Sequence, residues 1–170
     1  MSNQYFVAVT VEGEPLAVMG ILSKGRGSIL PSGAEWTEDG WWVRPPTDAV
    51  IAEEVGRYAG GRTVLSYRRI LPSDIPNDRS YRNAWVDTGS AVNHDMPKAR
   101  ELHLGRLRLE RTGKLAELDI ESIRYFGRDG KKVDEIEARK QALRDMPVTL
   151  APVLEACKTI DELKLVSLPE

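Results

Sequence analysis

The side chains best suited to chemistry are few and scattered. The chain has two histidines, His94 and His103, and one cysteine, Cys157. There is no His-Glu-x-x-His and no Gly-x-Ser-x-Gly, so neither the zinc-protease pattern nor the strained nucleophile turn is present. A single cysteine allows no intramolecular disulfide and no thiolate cluster within one chain. Asp74, Asp78 and Asp87 are spread out and lack the alternating spacing of a calcium loop. Gly25, Gly27 and Gly33 lack both the spacing of a phosphate-binding loop and a following helix, and so read as turn residues. The chain is therefore expected to be no enzyme and to need no metal or organic cofactor.

What remains is chemistry of contact. Trp36, Trp41 and Trp42 lie close together, and adjacent Trp41 and Trp42 point to opposite faces if both are in a strand. An exposed Trp can anchor an interface, whereas buried ones simply fill a core. Lys98, Arg100, Arg106, Arg108, Arg111 and Lys114 outnumber Asp95, Glu101 and Glu110 in the next candidate region. That excess offers a basic face for an acidic partner, or else a solvated face laced with i, i+4 pairs. The candidate interaction surface is accordingly Trp41, Trp42, Arg106, Arg108 and Arg111.

The composition supports a soluble, self-sufficient fold. In 170 residues, 41% hydrophobic content is enough for a real core. The balance of 24 basic against 26 acidic residues, with a pI near 5.8, lacks the basic excess of a nucleic-acid binder. The amino terminus has neither a basic lead nor a long apolar run, and no window approaches the roughly 18 apolar residues needed to span a bilayer. No membrane association and no secretion signal are expected.

The elements that must position these residues form an α+β fold: a small antiparallel sheet with one helix, then a long helical hairpin and a short terminal helix. Tyr5 to Val11 has the β-branched and aromatic content of a strand, and Glu12-Gly-Glu-Pro15 turns it back into a second one. Trp36 and Trp41–Arg44 flank Glu38-Asp-Gly40, a hairpin turn. Thr47 can cap a helix from Asp48 to about Tyr58, which Gly60-Gly61 ends, and residues 62–70 make one more strand. The expected divisions are a sheet module at 1–71, a linker with a short helix at 72–94, a helical hairpin at 95–147, and a C-terminal segment with a short helix at 148–170. Within the linker, residues 78–85 can make two helical turns, with Tyr81 and Trp85 on one face.

Asp95 can cap a helix reaching to about Phe126, roughly 48 Å long at 1.5 Å per residue. Along it Ala99, Leu102, Leu109, Ala116, Ile120 and Ile123 form one apolar stripe, and Leu104, Leu107, Leu115, Leu118 and Tyr125 form another. Two stripes imply two partners. One is the next helix, after the turn Gly127-Arg-Asp-Gly130, and the expected seam is Leu102, Leu109, Ile120, Ile123, Ile136 and Leu143. Arg106 and Gly113 interrupt the heptad pattern, so the hairpin should be short and irregular. The second stripe calls for the sheet module or another subunit, and self-association is expected. Thr159-Ile-Asp-Glu162 has capping-box spacing for the terminal helix.

Tyr81-Arg-Asn-Ala-Trp85, Met96-Pro-Lys-Ala-Arg-Glu-Leu-His103, Lys114-Leu-Ala-Glu-Leu-Asp119 and Arg139-Lys-Gln-Ala-Leu-Arg-Asp-Met-Pro147 resemble a segment of small tail-associated and virion-associated proteins of tailed bacteriophages. Over residues 72–165 the chain is similar to the tail assembly chaperone and tail-fibre assembly group, departing from it in lacking an Asp-Trp pair between the helices. The resemblance implies a noncatalytic virion structural or tail-assembly protein acting through protein–protein contacts. Its partners would be other phage structural proteins or itself as a homo-oligomer, and its location the virion or the host cytoplasm. The alternative is a phage-encoded inhibitor that binds a host defence protein through the tryptophan hairpin or the basic helix face. The resemblance carries over no catalytic residues.

Overall fold

The computed structural model describes residues 5–21, 23–25, 33–36, 38–39 and 41–169, with the side chains of residues 23–25, 36, 42 and 43 outside that description. The fold is α+β and divides into two compact units, 1–94 and 95–170.

In the first unit, β1 (Tyr5–Val11) is the middle of a three-stranded antiparallel sheet, flanked by β2 (Ala17–Ile21) and by the later strand Val64–Ile70. Strand alternation sends Val7, Val9 and Val11 to one face of β1 and Phe6 and Ala8 to the other. The first set packs with Ile21, Ile51, Val55 and Ala59, and the second with Leu16, Ile70, Trp85 and Val92. Because β1 is covered on both faces, it reads as an almost uninterrupted apolar run.

Two short strands near the tryptophans, β3 (Ser23–Gly25) and β4 (Glu35–Trp36), pair with β5 (Trp42–Arg44) between them. Trp36 faces Trp42 in the register, as the expected hairpin requires. Of the glycines read as turn residues, Gly25 lies at the end of β3 instead, Gly33 turns at φ 73°, and Gly27 lies outside the described residues, as does Gly40 of the Glu38-Asp-Gly40 turn.

Helix α1 (Asp48–Ala59) buries Ile51, Val55 and Ala59, a single i, i+4, i+8 line. Thr47 caps it, its side chain accepting from the Val50 N–H, and Gly60 ends it in the left-handed conformation at φ 58°. Strand β6 (Val64–Ile70) then returns beside β1, with a register shift between Thr10 and Val11.

The stretch expected to be a two-turn helix is different. Only a 3-10 turn forms at Arg82–Ala84, and Trp85 begins β7 (Trp85–Asp87), which pairs with β8 (Val92–His94). Asp78 Oδ1 accepts the Ser80 N–H at 2.8 Å, a local turn that competes with helical hydrogen bonding. Trp85 is needed in the sheet core with Ala8 and Val92, and an extended backbone delivers it there. Residues 86–94, the end of the expected linker, are thus mostly this ribbon, closed by the Thr88 N–H donating to the Ala91 carbonyl at 3.0 Å.

The second unit is helical. Helix α2 (Met96–Tyr125) is 30 residues, about 45 Å. Asp95 caps it by accepting the Lys98 N–H, and Pro97 occupies the first turn. Gly127 turns the chain at φ 73°, and Asp129 caps α3 (Gly130–Ala156). The second helix was expected to end at Pro147, yet α3 continues through both Pro147 and Pro152. Its C-terminal turns are anchored by Met146 and Leu154, both buried, and this packing outweighs the local cost of the prolines. Helix α4 (Ile160–Leu165) begins with the anticipated capping box, Thr159 with Glu162.

The hairpin core is Leu107, Leu118, Ile136, Leu143, Met146 and Leu168, with Leu104, Leu115, Leu150 and Val166 packed against it. This corrects the expected seam. Ile136 and Leu143 are buried as expected, but Leu109, Ile120 and Ile123 are 77%, 55% and 75% exposed. The α2 stripe that meets α3 is therefore the one through Leu104, Leu107, Leu115 and Leu118.

Candidate interaction surfaces

Trp41 is half-buried and engaged in an interaction of its own, while Trp42 lies in β5 with its side chain outside the described residues. Arg106 and Arg108 are exposed on α2, and Arg111 is half-buried. At 100° per residue Arg106 and Arg108 stand about 160° apart around the axis. Arg111 is close to Arg108 in azimuth and has a buried Nε without a hydrogen-bond partner. The three arginines therefore do not make one basic face. The tryptophans belong to the first unit and the arginines to the second.

One line of the exposed α2 surface is instead apolar. Leu109, Ile120, Ile123 and the cap residue Phe126 are 77%, 55%, 75% and 78% exposed, with exposed Gly113 and Ala116 between them. This stripe lies opposite the buried one: Leu109 is two residues, or about 200°, from both Leu107 and Arg111. Sequence periodicity revealed both stripes. It could not say which one α3 would cover.

The charged groups with the best-defined geometry were not singled out by sequence. Lys140, only 9% exposed, donates from Nζ to Asp119 Oδ1 at 2.7 Å and to Glu137 Oε1 at 2.6 Å, bridging α2 and α3. These two hydrogen bonds, Asp119 first, raise the lysine above its usual range against the opposing effect of burial. Glu137 is the only hint in the sequence, three residues before Lys140 on the same helix.

In the first unit Arg68 grips Asp87 with Nε at 2.8 Å from Oδ2 and a second nitrogen at 2.7 Å from Oδ1. That pairing, helped by the Gly89 N–H, holds the Asp87 carboxyl below its ordinary value although burial acts the other way. Both partners are largely covered, at 27% and 14% exposed.

The histidines serve structure. Trp85 Nε1 donates to His94 Nε2 at 3.1 Å, the two residues facing each other across β7 and β8. His103 is buried, and its Nε2 lies 2.9 Å from the Val166 carbonyl, which can only accept, so that nitrogen carries the proton. Cys157 is buried, with Sγ 3.3 Å from the Val153 carbonyl.

A cleft of about 450 Å³ in the first unit has Phe6, Val18, Tyr58 and Trp85 on its apolar side and Glu14, Arg79, Arg82 and Asn83 on its polar side. Glu14 is already paired with Arg62. The cleft contains no histidine, cysteine or serine to act as base or nucleophile. Among the described residues no group of three His, Cys, Asp or Glu side chains is placed to hold a metal ion, and no helix is long and apolar enough to cross a membrane.

No protein-family model, no curated protein and no solved structure matches this chain.

Proposed function

We propose that this chain is a noncatalytic bacteriophage protein that sits in the virion, or helps to build it, in the tail or the head-to-tail region, and that it acts through protein–protein contacts. The phage element of this reading rests on the resemblance of residues 72–165. The contact element is carried by one observation: Leu109, Ile120 and Ile123 stand 77%, 55% and 75% exposed along one line of α2. Large apolar side chains aligned on the exposed side of a helix mark a surface that another molecule covers. A virion component or an assembly factor for one needs only such surfaces, since its work is binding.

Mass spectrometry of purified particles tests the reading. Many copies per virion are expected of a structural component. For an assembly factor the expectation is absence from mature particles together with capture of a phage structural protein from infected cells. Absence from particles, combined with capture of a host defence protein alone, overturns the proposal in favour of the inhibitor reading.

A further inference from the structure

The exposed face of α2 has three properties that together specify its occupant. First, Leu109, Gly113, Ala116, Ile120 and Ile123 follow one another at intervals of four, three, four and three residues. That 3.5-residue repeat is the seam that another helix packs into. Second, the seam is nearly palindromic in size, with large residues at Leu109 and Ile120 and small ones at Gly113 and Ala116 between them. A Cβ built on Gly113 would meet nothing within 4 Å, so packing within the chain gives no reason for a glycine there. Mid-helix glycine nevertheless costs about 1 kcal/mol relative to alanine.

Third, charge is polarised along the helix. Residues 105–114 carry Arg106, Arg108, Arg111 and Lys114 against Glu110, a net of +3. Residues 115–125 carry Glu117, Asp119 and Glu121 against Arg124, a net of −2. A helix that is basic in one half and acidic in the next is complementary to itself when the two copies run in opposite directions.

We propose that α2 pairs with α2 of a second copy, antiparallel, about an axis between Lys114 and Leu115. In that register Leu109 meets Ile120 of the second copy, Gly113 meets Ala116, and Ile123 packs on the aliphatic stem of Arg106. The small residues at the centre let the backbones approach closely. The two-fold axis keeps each flank of the seam on its own side, so Arg108 faces Asp119 of the second copy, a carboxylate that Lys140 also holds within its own chain. Glu110 comes near Glu117 of the second copy, and the repulsion is moderated because Lys114 already holds Glu110 at 3.6 Å. The seam from Leu109 to Ile123 is about 21 Å long. An interface of that length is small, which places the dimer in the reversible class, with a dissociation constant of about micromolar or weaker. This pairing deepens the contact reading above but stands or falls separately from the phage assignment.

Sedimentation equilibrium of the full chain from low micromolar to about 1 mM tests the pairing. A monomer–dimer equilibrium is expected. Ile120→Asp with Ile123→Asp should weaken it about tenfold or more. Both residues are exposed, so the unfolding midpoint of the dilute variant should stay within error of the parent. Arg108→Glu should also weaken association, because it sets a second carboxylate against Asp119 of the second copy. A monomer at every concentration overturns the proposal, as does a dimer indifferent to the Asp pair or to Arg108→Glu. Each of these results leaves the particle experiment unaffected.

Discussion

Lys140 and Asp87 show what burial does to a charged side chain that the fold has supplied with a partner. Lys140 holds its proton more tightly because Asp119 and Glu137 accept from it. Its folded value lies above the unfolded one, so its contribution to stability is complete below about pH 10.4 and declines as pH rises through the raised folded value. Asp87 behaves in the opposite sense. Its folded value is depressed, chiefly by Arg68, so its contribution is complete above about pH 3.9 and is lost as pH falls through the depressed value. Thermal unfolding of Asp87→Asn against the parent should therefore show a midpoint difference that is constant near neutrality and shrinks below about pH 4. A difference independent of pH would show that the Arg68–Asp87 pair does not govern the acid limb. Lys140→Met should lower the midpoint at neutral pH, and the gap to the parent should narrow on the alkaline side.

For the elements, caps and core faces carry separable effects. Gly60 ends α1 at φ 58°, where any side chain is strained, so Gly60→Ala should cost about 1–2 kcal/mol. The hairpin offers a sharper contrast. Leu143 is 3% exposed and Ile136 fully buried, and truncating either to Ala should cost about 2–5 kcal/mol. Ile123, 75% exposed, should cost no more than about 0.5 kcal/mol when measured on dilute protein. Urea denaturation of these three variants checks the assignment of faces. Comparable losses at Ile123 and Leu143 would mean that α2 is turned the other way around its axis.

At the scale of the whole molecule, two cores of ordinary apolar residues account for the fold of the described residues: one on the faces of the sheet, the other along the hairpin. The stability of the protein should therefore be indifferent to chelators. Circular dichroism with and without excess EDTA should give the same helicity and the same midpoint, and a loss of helicity on chelation would reveal a structural ion. Among the described residues, neither the apolar line on α2 nor the 450 Å³ cleft of the first unit carries a histidine, cysteine or serine.

Local signals were legible in the sequence wherever a residue acts on its own neighbours. Thr47, Asp95 and Thr159 cap the helices they precede, Gly60 ends α1, and β1 and β6 form where strands were expected, because a capping bond or a strand pleat spans only a few residues. The α+β class follows from the same periodicities. What the tertiary structure alone decided was where local preference met a distant partner. Trp85 becomes a strand residue because the sheet core claims its ring, and α3 runs through Pro147 and Pro152 because Met146 and Leu154 are buried. Above all, α2 carries two apolar stripes of similar strength. Hydrophobic periodicity measures how apolar a face is but not which neighbour reaches it, so only the packing of Ile136, Leu143 and Met146 against Leu107 and Leu118 left Leu109, Ile120 and Ile123 facing outward.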